Sequence, residues 1–190
     1  MEKLLELLLA IARMSPELQA HLRTIIRPRK FKKGEYILRA GMICTHIWFI
    51  EKGLIRIYHL SEDQEKVNWL LKEGDIFIAV DSFFSQTISS EYIQALEDTW
   101  VCGISYQELA AACRQYIEFK EHHNLIETKY YELGNKIRKM QDLPPVDRYL
   151  TLMQTHPDLV YRVNLHDLAS YLRMSLSKLT QIRRDLSNGK

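Results

Sequence analysis

The chain has few of the residues that cross-link or interrupt a small protein. Its 190 residues include three cysteines, five prolines and seven glycines. The cysteines are too few for a four-thiolate iron–sulfur site and share no metal-ligand spacing, which predicts free, buried thiols in a reducing compartment. They are Cys44, Cys102 and Cys113.

Long apolar runs are also missing. No run reaches the roughly 18 residues that span a bilayer, and residues 4–11 lack the flanks of a secretory signal peptide. We therefore expect a cytoplasmic protein with no membrane partner.

Catalytic and metal-binding motifs are absent as well. The sequence contains no HExxH, CxxC, Walker loop or GxSxG. His122 and His123 are adjacent, so on a helix they would point about 100° apart and form a poor metal pair. An enzyme would have to depend on Asp81 and Glu91 without supporting groups. We expect no enzyme activity, no metal and no cofactor.

Charge is small overall but unevenly distributed. The formal net charge is +2, yet residues 34–121 carry fourteen acidic and seven basic side chains, while residues 1–33 carry three and eight. The segment after residue 121 is also net positive. The basic segments at both ends would tolerate a polyanion such as DNA, and the acidic central segment would repel one. An ordinary solvated surface gives similar charge counts.

Hydrophobic periodicity divides the chain into helical, β-prone and helical parts. Residues 1–26 predict helix, with a break at Ser15-Pro16, where Ser15 can cap a second helix. Short β-prone runs separated by glycines then predict an all-β sandwich or barrel. These runs are residues 36–38, 47–50, 54–58, 66–70, 90–96 and 99–105.

Helical patterns return in the second half. Residues 106–114 predict a short helix, and residues 116–140 a long one that Pro144 and Pro145 end. The long helix is either a dimer seam or packed on its own domain, and a strict heptad is absent. Beyond it we predict a helix at 146–154, a turn at 156–158 and a short strand at 159–163.

Residues 163–186 predict a helix–turn–helix. Leu165, Leu168, Ala169 and Leu172 fall at i, i+3, i+4 and i+7, and Asn164 can cap their helix. Two amphipathic helices with a tight joint also occur as ordinary packing units.

Ser175 can cap the second of these helices. Its inward face would be Leu176, Leu179, Ile182 and Leu186. The outward polar and basic side chains suit base edges and phosphates in a major groove. The expected DNA-contacting residues are Ser175, Ser177, Lys178, Gln181, Arg183 and Arg184.

The order of these parts resembles the cyclic-AMP receptor protein and FNR (CRP/FNR) family of bacterial transcription factors, especially members common in Bacteroidetes-type bacteria. The resemblance rests on KKGEYILRAG at 32–41, IWFIEKGLIRIY at 47–58, EGD at 73–75 and SSEYIQALEDTWVCGISYQEL at 89–109. It covers residues 31–186.

The resemblance implies an α+β fold in two domains. Residues 1–140 would form a β-roll (jelly-roll) sensor with N-terminal helices and a long helix, 116–140, that pairs in a parallel homodimer. Residues 141–190 would form a helix–turn–helix DNA-binding domain, which we expect to lack the family's C-terminal wing. The implied partners are double-stranded DNA and a small-molecule effector.

The effector segment departs from cyclic-nucleotide binders in the family. Their ribose-binding Glu falls here at Val80, their phosphate-binding Arg at Ser89, and their adenine-contacting hydroxyl pair at Leu133-Gly134. Glu91 adds a negative charge where a phosphate would lie. We therefore predict that cyclic AMP does not bind.

The vacated pocket has two interpretations. Asp81 and Glu91, with nearby serines, could hold a polar or cationic ligand between aromatic walls. The alternative, which the pattern favours, is that Phe83 and Phe84 simply fill the pocket. The candidate effector residues are Val80, Asp81, Ser82, Phe83, Phe84, Ser89, Ser90, Glu91 and Tyr92.

The DNA-reading helix departs from the family too. Leu176, Ser177 and Gln181 replace its usual Arg, Glu and Arg, and Arg173 replaces a common Gly in the turn. Gln181 can still read adenine, but no strong G·C-directed code is expected. We predict a homodimeric transcription regulator that reads a two-fold operator and ignores cyclic AMP. The alternative is a ligand-binding or protein-interaction module with weakened DNA binding.

Overall fold

The computed structural model describes residues 1–188, except the side chain of His123. The last two residues of the predicted 141–190 domain lie outside this description. The chain begins with helices α1 (Glu2–Ile11) and α2 (Pro16–Ile25). Ser15 caps α2, since its hydroxyl accepts a hydrogen bond from the Leu18 amide at 3.1 Å, as predicted.

Two antiparallel four-stranded sheets follow. Their strand orders are β1-β8-β3-β6 and β2-β7-β4-β5. The bounds are β1 Arg27–Phe31, β2 Tyr36–Leu38, β3 His46–Lys52, β4 Leu54–Ser61, β5 Gln64–Lys72, β6 Ile76–Phe77, β7 Glu91–Ala95 and β8 Thr99–Ser105. The sequence predicted six of these strands. It missed β1, which is exposed at four of five positions, and the two-residue β6.

The inner faces of the sheets form one hydrophobic core with the flanking helices. Phe31, Ile55 and Phe77 are fully buried there, and Leu18 of α2 joins them. Helices α4 (Tyr106–Gln115) and α5 (Ile117–Gln141) pack on the same core, while α3 (Val80–Ser85) lies between β6 and β7. The predicted helices at 106–114 and 116–140 are therefore confirmed.

The chain continues into α6 (Pro145–Thr155) and α7 (Pro157–Arg162). The predicted turn at 156–158 and strand at 159–163 are wrong, because Pro157 begins a helix as its first residue. Leu159, Val160 and Val163 are buried together, at a spacing that suits a helix turning one side inward.

The last two described helices are α8 (Leu165–Tyr171) and α9 (Leu176–Ser187). Asn164 caps α8 and Ser175 caps α9, through hydrogen bonds from the amides of Asp167 and Lys178. Two of the predicted inward positions, Leu165 and Leu176, are exposed. The buried ones are Leu168, Ala169, Leu172, Leu179 and Ile182.

A second hydrophobic cluster joins α6–α9 to the sheet that contains β4 and β5. Tyr58 and Val67 of the sheet contribute to this cluster with Leu152 and Leu168 of the helices. Helix α8 lies directly on β5. The C-terminal helices therefore share a core with the outer face of the sheet. No helix among residues 1–188 is long and apolar enough to cross a membrane.

Candidate functional site: a polar cleft and an exposed helix face

A polar cleft of about 380 Å³ opens beside α3. Strands β4 and β5 form one wall, α3 and the segment leading into β7 form another, and α5 closes it. The lining residues are His59, Asn68, Trp69, Val80, Asp81, Ser82, Ile88, Ser89, Ser90, Glu91 and Tyr130.

Only some of the candidate effector residues line this cleft. Six of them line the cleft, but Phe83, Phe84 and Tyr92 do not. Phe83 is turned into the β-roll core, with ring centroids 5.3 Å from Tyr106 and 5.4 Å from Phe84. Tyr92 follows Glu91 on a strand and so faces the opposite side, where it stacks on Tyr58 at 4.9 Å.

The aromatic wall of the cleft consists of residues that the sequence analysis missed. Trp69 of β5 stacks on Tyr130 of α5, with ring centroids 4.7 Å apart. Gly134 permits this approach, because a Cβ there would lie 3.3 Å from the Trp69 ring. In the family resemblance, Gly134 is only one of the two positions at which an adenine-contacting hydroxyl is missing. The indole thus lies beside the Leu133-Gly134 position that the resemblance assigns to adenine contacts.

The cleft is electrically negative at its polar end. Burial raises the pKa of Glu91; a hydrogen bond from Asn68 offsets part of that effect, and the charge of Asp81 adds to it. The Asn68 amide nitrogen also lies 3.0 Å from Nδ1 of His59. None of the lining residues is Lys or Arg.

Two of the serines shape the cleft and have little left to offer a ligand. The Ser82 hydroxyl accepts a hydrogen bond from the Cys44 amide at 2.8 Å and donates one to the Thr87 carbonyl at 2.6 Å. The Ser89 hydroxyl accepts one from the Glu91 amide at 2.9 Å. The groups free to meet a ligand are the carboxylates and the Ser90 hydroxyl.

Metal ligation does not fit the described residues. Among residues 1–188, with His123 set aside, no three His, Cys, Asp or Glu side chains are placed to hold an ion. Cys44 and Cys102 are buried and Cys113 is half-buried. Burial raises the pKa of all three thiols.

The outer side of α9 forms a second candidate surface. Five of the six predicted DNA-contacting residues are exposed along it, and Arg183 is half-buried. The Ser175 hydroxyl caps α9 and lies 3.0 Å from that of Ser177, so part of its bonding capacity is used within the helix. The exposed residues are Ser175, Ser177, Lys178, Gln181 and Arg184.

Side chains of Arg148 and Gln141 hydrogen-bond to the backbone at the turn before α9. Nη1 of Arg148 donates hydrogen bonds to the carbonyls of Leu172 and Arg173, at 3.0 and 2.9 Å. The Gln141 side chain donates to the Tyr171 carbonyl at 2.8 Å. The end of α8 and the turn are therefore hydrogen-bonded to side chains of α5 and α6.

Ion pairs hold the C-terminal helices on the β-roll. Arg56 of β4 pairs with Asp167 of α8, and both side chains are buried. Arg56 also pairs with Glu65 at 2.5 Å and donates two hydrogen bonds to Gln94.

Helix α7 is held by a more exposed set of ion pairs. Arg162 pairs with Glu73 at 2.9 Å and with Glu97 at 2.8 Å. Lys72 pairs with Asp158 at 2.5 Å. Arg162 of α7 thus pairs with acidic residues of the β-roll, and Asp158 of α7 pairs with a lysine of the β-roll. These ion pairs join the two parts of the chain.

Comparison with known proteins gives a family match for the β-roll. Residues 28–116 match the family model of the cyclic nucleotide-binding domain. No curated protein matches the chain by sequence.

Solved structures share the fold of nearly the whole chain. FixK2 from Bradyrhizobium japonicum superposes with a TM-score of 0.75 at 16% identity, covering 87% of this chain and 86% of that one. The c-di-GMP-responsive regulator CLP from Xanthomonas campestris gives 0.71 at 14%, covering 92% and 93%. A transcriptional regulator assigned to the CRP/FNR family from Eubacterium rectale gives 0.72 at 16%, covering 93% and 85%.

Proposed function

We propose that the protein is a DNA-binding transcription regulator of the CRP/FNR type. The proposal is supported by the match of residues 28–116 to the cyclic nucleotide-binding domain and by the fold that the chain shares with such regulators. In this proposal residues 1–140 form the sensor domain and residues 141–190 the DNA-binding domain. The α8–α9 pair is its helix–turn–helix.

The exposed polar face of α9 is the observation that carries the proposal. Arg148 fixes the turn that presents this face, and Leu179 and Ile182 hold α9 on the rest of the unit. Lys178 and Arg184 are in reach of phosphates, and Gln181 can pair with an adenine edge. The leucine and serine early in α9 offer no bidentate guanine contact, so affinity depends strongly on salt.

A two-fold operator requires a dimer, and we assign its seam to α5. Ile117 is 82% exposed and Tyr131 is 66% exposed, and their spacing of fourteen residues places them on one side of the helix. Asn124 and Thr128 lie on the same side and are also exposed. The seam is more polar than a heptad coiled coil, which favours a modest dimer affinity.

The chemistry of the cleft also supports a regulator that does not respond to cyclic AMP. A cyclic phosphate would meet Asp81 and Glu91 and find no Arg or Lys among the lining residues. Trp69 lies beside Gly134, one of the two positions that the resemblance assigns to purine contacts. Calorimetric titration with cyclic AMP should give no heat of binding, and a micromolar dissociation constant would contradict this part of the proposal.

The DNA proposal is tested with the full chain and genomic fragments in a low-salt shift assay. Lys178→Ala and Arg184→Ala should each weaken binding at least several-fold, alike for all bound fragments. Gln181→Ala should change the preference at one base step. Arg114→Ala, which removes an exposed arginine of α4, is the matched control and should bind like the wild type.

The alternative function gives a different result in the same assay. A ligand-binding or protein-interaction module with lost DNA binding would retain no fragment even at low salt. Equal binding by all three α9 variants would instead show that DNA contacts another surface.

A further inference from the structure

We propose that the cleft beside α3 binds a small organic cation, an amine or a guanidine. The role of this ligand as the effector of a regulator rests on the function proposed above, but the binding of the ligand can be measured without DNA.

The first argument is the unbalanced charge of the cleft. Asp81 and Glu91 face the same space, and none of the eleven lining residues is Lys or Arg. Asp81 is exposed and Glu91 is half-buried. Among the described side chains neither carboxylate forms an ion pair, and the hydrogen bond that Glu91 accepts from Asn68 is uncharged. His59 also lines the cleft, where its Nδ1 lies 3.0 Å from the Asn68 amide nitrogen. Taking a carboxylate out of water without a countercharge is unfavourable, and a second carboxylate nearby adds to that cost. A bound cation removes both penalties.

The second argument is the aromatic part of the cleft lining. Trp69 and Tyr130 both line the cleft, and their rings stack on each other at a centroid distance of 4.7 Å. The faces of indole and phenol rings attract ammonium and guanidinium groups. Carboxylates beside aromatic faces are complementary to a positive charge attached to apolar carbon.

Size and ligand chemistry select an organic cation over a bare metal ion. A volume of about 380 Å³ is in the range of small-molecule sites. Within the described side chains, no three His, Cys, Asp or Glu groups converge as metal ligands would. Asn68 and Ser90 add hydrogen-bonding groups that suit a nitrogen-bearing ligand.

The cleft is next to the contact between β5 and α8. Asn68 and Trp69 line the cleft, and the preceding Val67 donates its amide hydrogen to the Ser170 hydroxyl at 3.0 Å. That hydroxyl donates in turn to the Glu65 carbonyl at 2.9 Å. A ligand that reorders β5 in the cleft therefore acts on the strand to which α8 is attached.

The test is calorimetric titration of the full chain with agmatine, choline and cyclic AMP. Agmatine carries an amine and a guanidinium, choline a quaternary ammonium, and cyclic AMP is the anionic comparison. We expect agmatine or choline to bind and cyclic AMP not to. Glu91→Gln should weaken cation binding at least ten-fold, and Trp69→Phe several-fold.

Glu6→Gln is the control, since it removes the same charge from an exposed position of α1. It should bind within two-fold of the wild type. Without ligand, Glu91→Gln should also melt at a higher temperature than the wild type, because it removes a carboxylate that has no countercharge. This readout shows that the variant is folded and tests the charge argument independently of the probe.

Three results would overturn the proposal: no binding of either cation at millimolar concentration, equal binding by Glu91→Gln, or tighter binding of cyclic AMP. Shift assays with and without agmatine separate this proposal from the DNA function. Cation binding in a chain that retains no DNA supports the cleft and contradicts the regulator. DNA binding that agmatine leaves unchanged contradicts the role of the cleft as an effector site.

Discussion

Arg173 shows how a single residue sets the joint between α8 and α9. Its φ is 52°, in the left-handed region, where the family commonly has glycine. A residue with a Cβ pays about 1–2 kcal/mol for that conformation. The two carbonyl hydrogen bonds from Arg148 and the amide bond from Arg173 to the Ser170 carbonyl hold the turn despite this cost.

Replacing Arg173 should therefore reveal the strain. Arg173→Gly should raise the free energy of unfolding by about 1 kcal/mol relative to Arg173→Ala, because the relief exceeds the extra unfolded-state entropy of glycine. Urea denaturation measures the difference, and the alanine variant controls for loss of the side chain. Equal stability of the two variants would show that the backbone at this position is unstrained.

Single residues of the cleft also show where sequence reasoning stops. The six polar or small candidates that line the cleft follow from their place in the family pattern. The aromatic residues that line the cleft do not follow from that pattern. The sequence alone does not distinguish Trp69 and Tyr130 from Phe83 and Phe84, because all four are aromatic side chains. Which ring meets the cleft depends on how α5 crosses β5, and Gly134 permits the close approach of Trp69 to α5.

At the scale of elements, local signals predicted most of the boundaries. Ser15, Asn164 and Ser175 cap helices at the predicted positions, because a side-chain oxygen next to a helical pattern satisfies amides that lack partners. Strand β1 and helix α7 were missed since their order comes from tertiary pairing. Strand β1 is polar and lies along β8, and α7 is short and buries its apolar side against other helices.

Helix α5 carries a prediction of its own, the dimer seam. Tyr131→Glu places a charge on the most exposed aromatic position of the helix and should weaken dimerisation at least ten-fold. Sedimentation velocity across a concentration series measures the effect. Tyr131→Phe keeps the ring and should dimerise like the wild type.

A dimer unaffected by Tyr131→Glu would place the interface elsewhere. A wild-type chain that stays monomeric at high concentration would leave α5 as a helix that packs only on its own β-roll through Phe119, Ile126 and Leu133.

At the scale of the whole molecule, the C-terminal helices are attached by two kinds of contact. The buried Arg56–Asp167 pair lies over the shared hydrophobic cluster, where loss of one partner would leave a buried charge. The pairs that Arg162 and Lys72 form are more exposed to solvent. The sequence did not predict this attachment, because each partner is distant in the chain and unremarkable in its own segment.

Glu73 makes the attachment sensitive to acid. Burial raises its pKa, but hydrogen bonds from Arg162 and from the Gly53 amide outweigh this and lower the pKa from its ordinary value of 4.5 to about 2. Since the folded pKa is depressed, the unfolded chain binds more protons in this interval, and the stabilisation present above pH 4.5 is lost as the pH falls towards 2.

The wild type should therefore lose stability across this window as Glu73 and its pair with Arg162 are neutralised. In Glu73→Gln this part of the pH dependence should be absent, so the two proteins should differ most near pH 7 and converge near pH 2. Urea denaturation at a series of pH values measures it, with Glu6→Gln as a control that should follow the wild type. Parallel curves for Glu73→Gln and the wild type would show that this ion pair adds nothing to the attachment of α7.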